Sequence, residues 1–474
     1  MRRWNHIIAD RIGWEQQLKP FLYKKLPPET GWSAVLGSLC ALIFIVEAVS
    51  GMFLAMYYNP APDLAYESIN YIMNDVTMGR VLRGIHHWGA GAMVILVFLH
   101  LAVNYFSSSF KAPRELTWVV GVVLFLITLG LGFTGYLLPW DQKAYWATVV
   151  SANILRDIPL VGDLITRIVL GGDTVSGLTL TRFLSIHMLI LPSLVILFMA
   201  FHIYLVRIHG MAERQESLTS GIKPPHIKSG GIYRFFPDHL YKCAIGFVCV
   251  FFVILLLSVL GQVPLEGTVG TIDDSYMPRP EWYYMWLFQL LTFFPGNSEV
   301  VGSLAIPIGG VLILFLMPWL SKSNLRGVSD RPLATAVGSA CIIGMVYLTI
   351  MGFAGAAEYG KIIAVPDRPL TISEKMGLRQ FVDSECAYCH NINGKGGRIQ
   401  GPDIANISAK GRTRDWLVNY IKDPQSQYSW TLMPKYDLSD EALAALSDFI
   451  LGLDFRSDAI KIVTREEALR GEID

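Results

Sequence analysis

Residues 83–106 read RGIHHWGAGAMVILVFLHLAVNYF. The stretch is apolar for about 24 residues, enough to cross a bilayer as one helix. It nevertheless carries His86 and His100 deep inside, and an ionisable ring at that depth needs a partner or a task. At 3.6 residues per turn their separation of 14 is nearly four whole turns, so both rings leave one face. They are then about 21 Å apart along the axis, one near each leaflet.

Residues 182–207 (RFLSIHMLILPSLVILFMAFHIYLVR) repeat the arrangement with His187 and His202, 15 apart. Two helices with two histidines each make two pairs stacked across a membrane. Bis-histidine ligation of two b-type haems is the economical reading, because neutral imidazole is a good axial ligand for iron. A single membrane histidine is ordinarily a hydrogen-bonded packing residue, and His87, off the shared face, is read that way. Matched spacing on two helices is not explained so. Glycines carry the same period: Gly37 and Gly51 in one apolar run, Gly121 and Gly135 in another, each pair 14 apart. Lacking a side chain, they let a flat macrocycle approach the backbone; small residues for helix packing would not predict the shared spacing.

With 52% hydrophobic and 16% charged residues over 474 positions, the chain is an integral membrane protein. The expected fold is all-α: seven transmembrane helices containing a four-helix dihaem bundle, followed by a small soluble helical domain. Hydropathy places the spans near 33–58, 83–107, 116–138, 183–206, 242–261, 303–320 and 335–354. Met-Arg-Arg-Trp opens a polar stretch without an apolar h-region, so no cleaved leader is expected and the first span directs insertion. Segments 1–32, 108–115, 207–241 and 321–334 hold about 16 Lys and Arg against about seven in the alternating loops, which puts the N-terminus in the cytoplasm and residues after 355 outside. The second and fourth spans then run parallel. His86 should pair with His187 at the outer leaflet, and His100 with His202 at the inner one. The zero net charge and the lack of a basic run give no sign of nucleic-acid binding.

Between the spans, GYLLPWDQKAYWATVVSANILRDIPLVGD (135–163) mixes aromatic, apolar and charged residues and predicts one or two helices at the outer interface. Residues 207–241, basic and containing Pro224 and Pro225, read as a linker between a four-span and a three-span module. Domain limits follow as 1–215, 216–360 and 361–474. On the outer side, Pro280-Glu281-Trp282-Tyr283 sets a carboxyl among aromatic residues, a setting that suits a proton acceptor. Residues 371–455 turn soluble and charged. There Cys386-Ala387-Tyr388-Cys389-His390 is C-x-x-C-H, an attachment site for covalent c-type haem. Two thiols three apart meet two vinyl groups, and His390 becomes an axial ligand. Met433, the only methionine after the motif, is the candidate sixth ligand. A zinc pair or a redox dithiol would not require the histidine. Cys40, Cys243, Cys249 and Cys341 lie in apolar runs and read as packing residues.

Residues 1–215 resemble the cytochrome b of Rieske/cytochrome b complexes, in its shorter photosynthetic form. The histidines, the glycine pairs, KAPRELTWVVGVVL (111–124), GYLLPWDQ (135–142) and LTRFLSIHMLILP (180–192) carry the likeness. The gap of 15 between His187 and His202 is the photosynthetic and Gram-positive form; mitochondrial relatives usually have 14. Residues 230–355 look like the companion three-helix subunit with its PEWY motif. Residues 371–453 look like a class I cytochrome c, with Gly401-Pro402-Asp403 and Met433-Pro434. The resemblance implies a quinol:cytochrome c-type oxidoreductase that oxidises membrane quinol outside, reduces quinone inside and contributes to a proton gradient. One electron goes to a Rieske iron–sulfur protein and the other crosses through two b haems. It places Glu281 and Tyr283 at the outer quinol site as catalytic residues, and Arg83 and Arg207 near haem propionates, where guanidinium suits carboxylate. It also implies a homodimer in lipid, a c-type cytochrome or other outer acceptor, and, from the fusion of three modules, a bacterial inner membrane. Photosynthetic relatives attach an extra haem through a first-span cysteine; Val35 stands there, and Cys40, five residues later, faces elsewhere. Rival readings are a dihaem anchor serving a non-Rieske enzyme and a transporter with incidental histidines.

Overall fold

The computed structural model describes residues 11, 19–27, 30–156, 158–210, 233–269, 279–294, 298, 300–321, 325–354, 362–396, 401–428, 431, 433–455 and 459–470. The proline pair of the expected linker, Pro224 and Pro225, and Leu432 beside Met433 lie outside the described residues. Among the described residues, seven helices are long and apolar enough to span a membrane: Trp32–Ala55, Gly79–Phe106, Glu115–Tyr136, Gly177–His209, Phe235–Leu260, Val301–Leu320 and Pro332–Ala354, with mean hydropathy from 1.8 to 3.1. Backbone polar groups cannot be left open in hydrocarbon, so these apolar runs close their hydrogen bonds internally as helices. The protein is an integral membrane protein.

The chain divides into two compact units, one of Met1–Val269 with Ile306–Ile343 and one of Gly270–Ala305 with Gly344–Asp474. In the first, the first span packs along the second and the third along the fourth, while the fifth lies against the first two. Val35, Leu39, Ile43, Leu96, Cys243 and Ile254 form one buried cluster between these helices, and Cys40 packs at its edge. Val35, at 2% exposure, is thus filled against protein. The sixth span joins the third through Trp118 Nε1, which donates to the Leu314 carbonyl at 2.7 Å. Tyr105, near the end of the second span, donates from its hydroxyl to the Ala334 carbonyl at 2.7 Å. Two helices form between the third and fourth spans, Gln142–Arg156 and Gly162–Leu170, as the amphipathic pattern predicts.

The second unit contains the soluble domain. Helices Ile372–Asp383 and Asp440–Leu451 cross and pack Phe381 on Phe449 with ring centroids 5.5 Å apart. Thr371 and Glu374 form a reciprocal capping box at the first helix, and Arg368 grips the same carboxylate at 3.0 and 2.6 Å. That grip first, with the Thr371 cap, holds Glu374 below the usual carboxylate range against the opposing effect of burial. The domain is not purely helical. Strand β1, Ile362–Pro366, pairs antiparallel with a strand of residues Ile460–Thr464 near the C-terminus, and a two-residue hairpin pairs Asn391–Ile392 with Lys395–Gly396. Ile363, Ala364 and Val365 are buried. Such a short apolar run is ambiguous by periodicity, and here the packing of the domain's two ends resolves it as strand.

Candidate functional site

The four histidines of the second and fourth spans come together in two pairs. The His86 and His187 ring centroids are 6.2 Å apart with planes at 81°, and those of His100 and His202 are 6.4 Å apart at 76°. A metal–imidazole bond of about 2.0–2.1 Å on each side, plus the distance from nitrogen to ring centre, requires about 6.4 Å between centroids. Each pair therefore has the spacing that a single iron between two imidazoles needs. Both spans contribute to both pairs, so the helices run parallel.

Local folding accounts for the spacing of 15 in the fourth span. Regular helix would rotate His202 about 60° past four turns from His187. Residues Ile186–Ile190 instead form a π-helical turn, with the Leu191 N–H bonded to the Ile186 carbonyl. A π turn takes up one additional residue, so 15 steps behave as 14. Pro192 follows immediately and cannot donate to the Met188 carbonyl, which makes the widening at this point cheap.

The outward ring nitrogens of His187 and His86 are held. His187 Nδ1 lies 3.1 Å from the Leu131 carbonyl and 3.2 Å from Thr134 Oγ1. A carbonyl can only accept, so Nδ1 carries the proton and Nε2 is left as the ligand atom. His86 Nδ1 lies 3.0 Å from Ser50 Oγ and 3.2 Å from Glu47 Oε2; the Ser50 hydroxyl spends its own proton on the Val46 carbonyl at 2.8 Å. His100 sits beside Asn104 Nδ2 at 3.4 Å. These supporting groups belong to the site but are invisible to a search for histidine spacing.

Each glycine singled out by its period faces one of the four rings. A Cβ at Gly51 would lie 3.2 Å from His86 Cε1 and one at Gly135 2.6 Å from His187 Cε1; Gly37 and Gly121 would come to 3.1 Å from His100 and 3.4 Å from His202. Glycine at 135 is required by this approach. Gly135→Ala is expected to displace the His187 ring and reduce b-haem content at that level while the other level stays loaded, since overpacking costs about 1–3 kcal/mol. Haem extraction and difference spectra check this; full content of both would refute it.

Arg83 is 8% exposed and donates to the Val263 carbonyl at 3.2 Å and the Pro264 carbonyl at 3.0 Å. Arg207 donates to the Pro20 carbonyl at 3.2 Å. His87 packs edge-on against Trp88 and takes no part in a pair.

In the second unit, Cys386–Cys389 forms a single helical turn, and the two cysteines form no disulfide. Burial, then the neighbouring Cys389, pushes the Cys386 thiol up to about 12, so it stays a protonated thiol. His390 Nδ1 donates to the Pro402 carbonyl at 2.8 Å, which again frees Nε2. Burial lowers its pKa, opposed by that carbonyl and by Asp403, and keeps the ring neutral as a ligand must be. Met433 packs on the core of this domain. The residues fit a covalently held haem.

Glu281 precedes a short turn, Trp282–Tyr284, and its carbonyl accepts from the Tyr284 N–H at 2.8 Å. The Tyr283 ring lies 4.8 Å from that of Tyr284 with the planes tilted at 59°. Burial, with Tyr284 and the Glu281 charge adding, pushes its phenol well up, so it stays a protonated hydroxyl.

Two stacked imidazole pairs in a membrane bundle, carried on a chain that ends in a C-x-x-C-H domain, define an electron-transferring membrane cytochrome. The comparisons with known proteins agree. The family model described as Cytochrome b/b6/petB matches residues 24–210, Cytochrome b(C-terminal)/b6/petD matches 274–365 and Cytochrome c matches 375–454. A cytochrome bc complex cytochrome b subunit of Chlorobaculum thiosulfatiphilum is 36% identical over 69% of this chain and 74% of its own length. Cytochrome b6 of Heliobacterium mobile is 43% identical over 38% of this chain and 84% of its own. A solved chain described as Hyperthermophilic respiratory Complex III matches with a TM-score of 0.64 and 26% identity, over 80% of this chain and 94% of that one. The chain belongs to the cytochrome b/b6 family, with a cytochrome c domain fused behind it. It is of the quinol:cytochrome c oxidoreductase class and contains haem b and haem c domains.

Proposed function

We propose that this chain is the cytochrome b and c subunit of a Rieske/cytochrome b complex in a bacterial inner membrane, with His86 and His187 holding an outer b haem and His100 and His202 an inner one. The carrying observation is the pair of imidazole separations, 6.2 and 6.4 Å, stacked on the same two parallel helices. Bound haem supplies reversible one-electron chemistry at each level. The chain supplies the rest: Leu131, Thr134, Ser50 and Glu47 fix ring tautomers, and the glycines clear space at the rings. Cys386 and Cys389 would hold the c haem covalently on the outer side, with His390 and Met433 as its iron ligands. Glu281 takes a proton from membrane quinol at the outer site, with Tyr283 beside it to hydrogen-bond the substrate. Arg83 and Arg207 serve the propionates of the two b haems. A Rieske protein and an outer c-type cytochrome are the partners in electron transfer, and the working unit is a homodimer. Domain limits are those of 1–215, 216–360 and 361–474, with the N-terminus in the cytoplasm.

Haem extraction tests the reading, expecting two acid-extractable haems and one covalent haem per chain. Met433→Ala should leave the covalent haem attached and abolish the methionine-ligated band at the red end of the spectrum. Persistence of that band would remove Met433 from the ligand set.

A further inference from the structure

We propose that Glu47 is a positioning residue for the haem held by His86 and His187, lowering its midpoint potential by accepting a hydrogen bond from His86 Nδ1–H. The proposal rests on the reading of these two histidines as iron ligands.

Glu47 is the only charged residue between Trp32 and Ala55, and an intramembrane carboxyl without a task is selected against by its desolvation. Its Oε2 lies 3.2 Å from His86 Nδ1, with the side chain only 13% exposed. Oε1 is buried and makes no hydrogen bond. It rests instead against Gly89, one turn after His86, where any Cβ would collide with it. The carboxyl is therefore seated in a notch cut into the second span, and its one polar contact from that seat is with the ligand ring. Among the described residues no other ring of the four has a carboxylate neighbour: His187 meets Leu131 and Thr134, and His100 meets Asn104.

An acceptor on Nδ1–H makes the imidazole a more basic ligand through Nε2, and a carboxylate does so more strongly than a hydroxyl or carbonyl. A more basic axial ligand favours the ferric over the ferrous state. The two levels are thus built unequally, with the carboxylate on one side only.

The test is a redox titration of both b haems in the purified complex, each assigned by its loss in His86→Ala or His100→Ala. Glu47→Gln keeps the shape and an acceptor oxygen but not the carboxylate. It should retain both b haems and raise the midpoint of the His86 haem by a tenfold change in the ferrous-to-ferric ratio or more, 59 mV per decade for one electron. The His100 haem should not move. Gly89→Ala, which evicts the carboxyl without altering it, should shift the same haem in the same direction and also change the electron paramagnetic resonance of the ferric state. Unmoved midpoints in both variants, or haem loss in Glu47→Gln with no shift in Gly89→Ala, would overturn the role of Glu47 while leaving the ligand pairing intact. A shift confined to the haem lost in His100→Ala would overturn the pairing itself.

Discussion

Replacing His187 with alanine is expected to remove one b haem completely, to leave the other in place, and to abolish turnover. The ring is one of two that face each other at 6.2 Å, and alanine leaves iron with a single protein ligand at that level. His86→Ala should give the same phenotype, because the lost contact is shared. His100→Ala and His202→Ala should instead empty the level whose rings stand 6.4 Å apart. Redox-resolved spectra of the four variants check this. If one substitution leaves both b-haem signals intact, or if His86→Ala and His187→Ala empty different levels, the pairing fails. Methionine at either position offers a softer ligand and should retain some haem with a raised potential.

The second large effect concerns proton transfer. Glu281→Gln is expected to slow quinol oxidation by about 100- to 10,000-fold, the usual range for a positioned acid or base, with every haem still bound and reducible. The Glu281 backbone shapes the turn, through the carbonyl that accepts from Tyr284 at 2.8 Å, and glutamine preserves that bond. Loss of turnover with intact haem content would therefore report on the carboxyl and not on the turn. Tyr283 cannot take over as base, because burial pushes its phenol well up. Native turnover in Glu281→Gln would remove the residue from catalysis.

Several parts of this molecule are legible without its structure, because they depend on period and hydropathy alone. Seven apolar runs become seven candidate spans among the described residues, displaced by up to seven residues at their ends. Helix geometry makes the pairing of His86 with His187 and His100 with His202 readable, since 14 residues return a side chain to nearly the same face. C-x-x-C-H is local chemistry and needs no fold to be recognised. The shared period of the four glycines is readable too, and each one stands against a histidine ring.

What tertiary structure decided is what depends on contact between distant segments. The spacing of 15 works only because a π turn at Ile186–Ile190 takes up a residue before Pro192, which the spacing of the histidines does not itself show. The pairing of residues 362–366 with 460–464 joins segments too far apart for any local pattern to link, and it places strand in a domain whose sequence reads as helix. Glu47 shows the division most sharply. Its place in an apolar run is plain in the sequence, but nothing there assigns it a partner. Only packing of the first span on the second brings its carboxyl to His86 and into the notch at Gly89, because a hydrogen bond between helices has no signature in the spacing of either one.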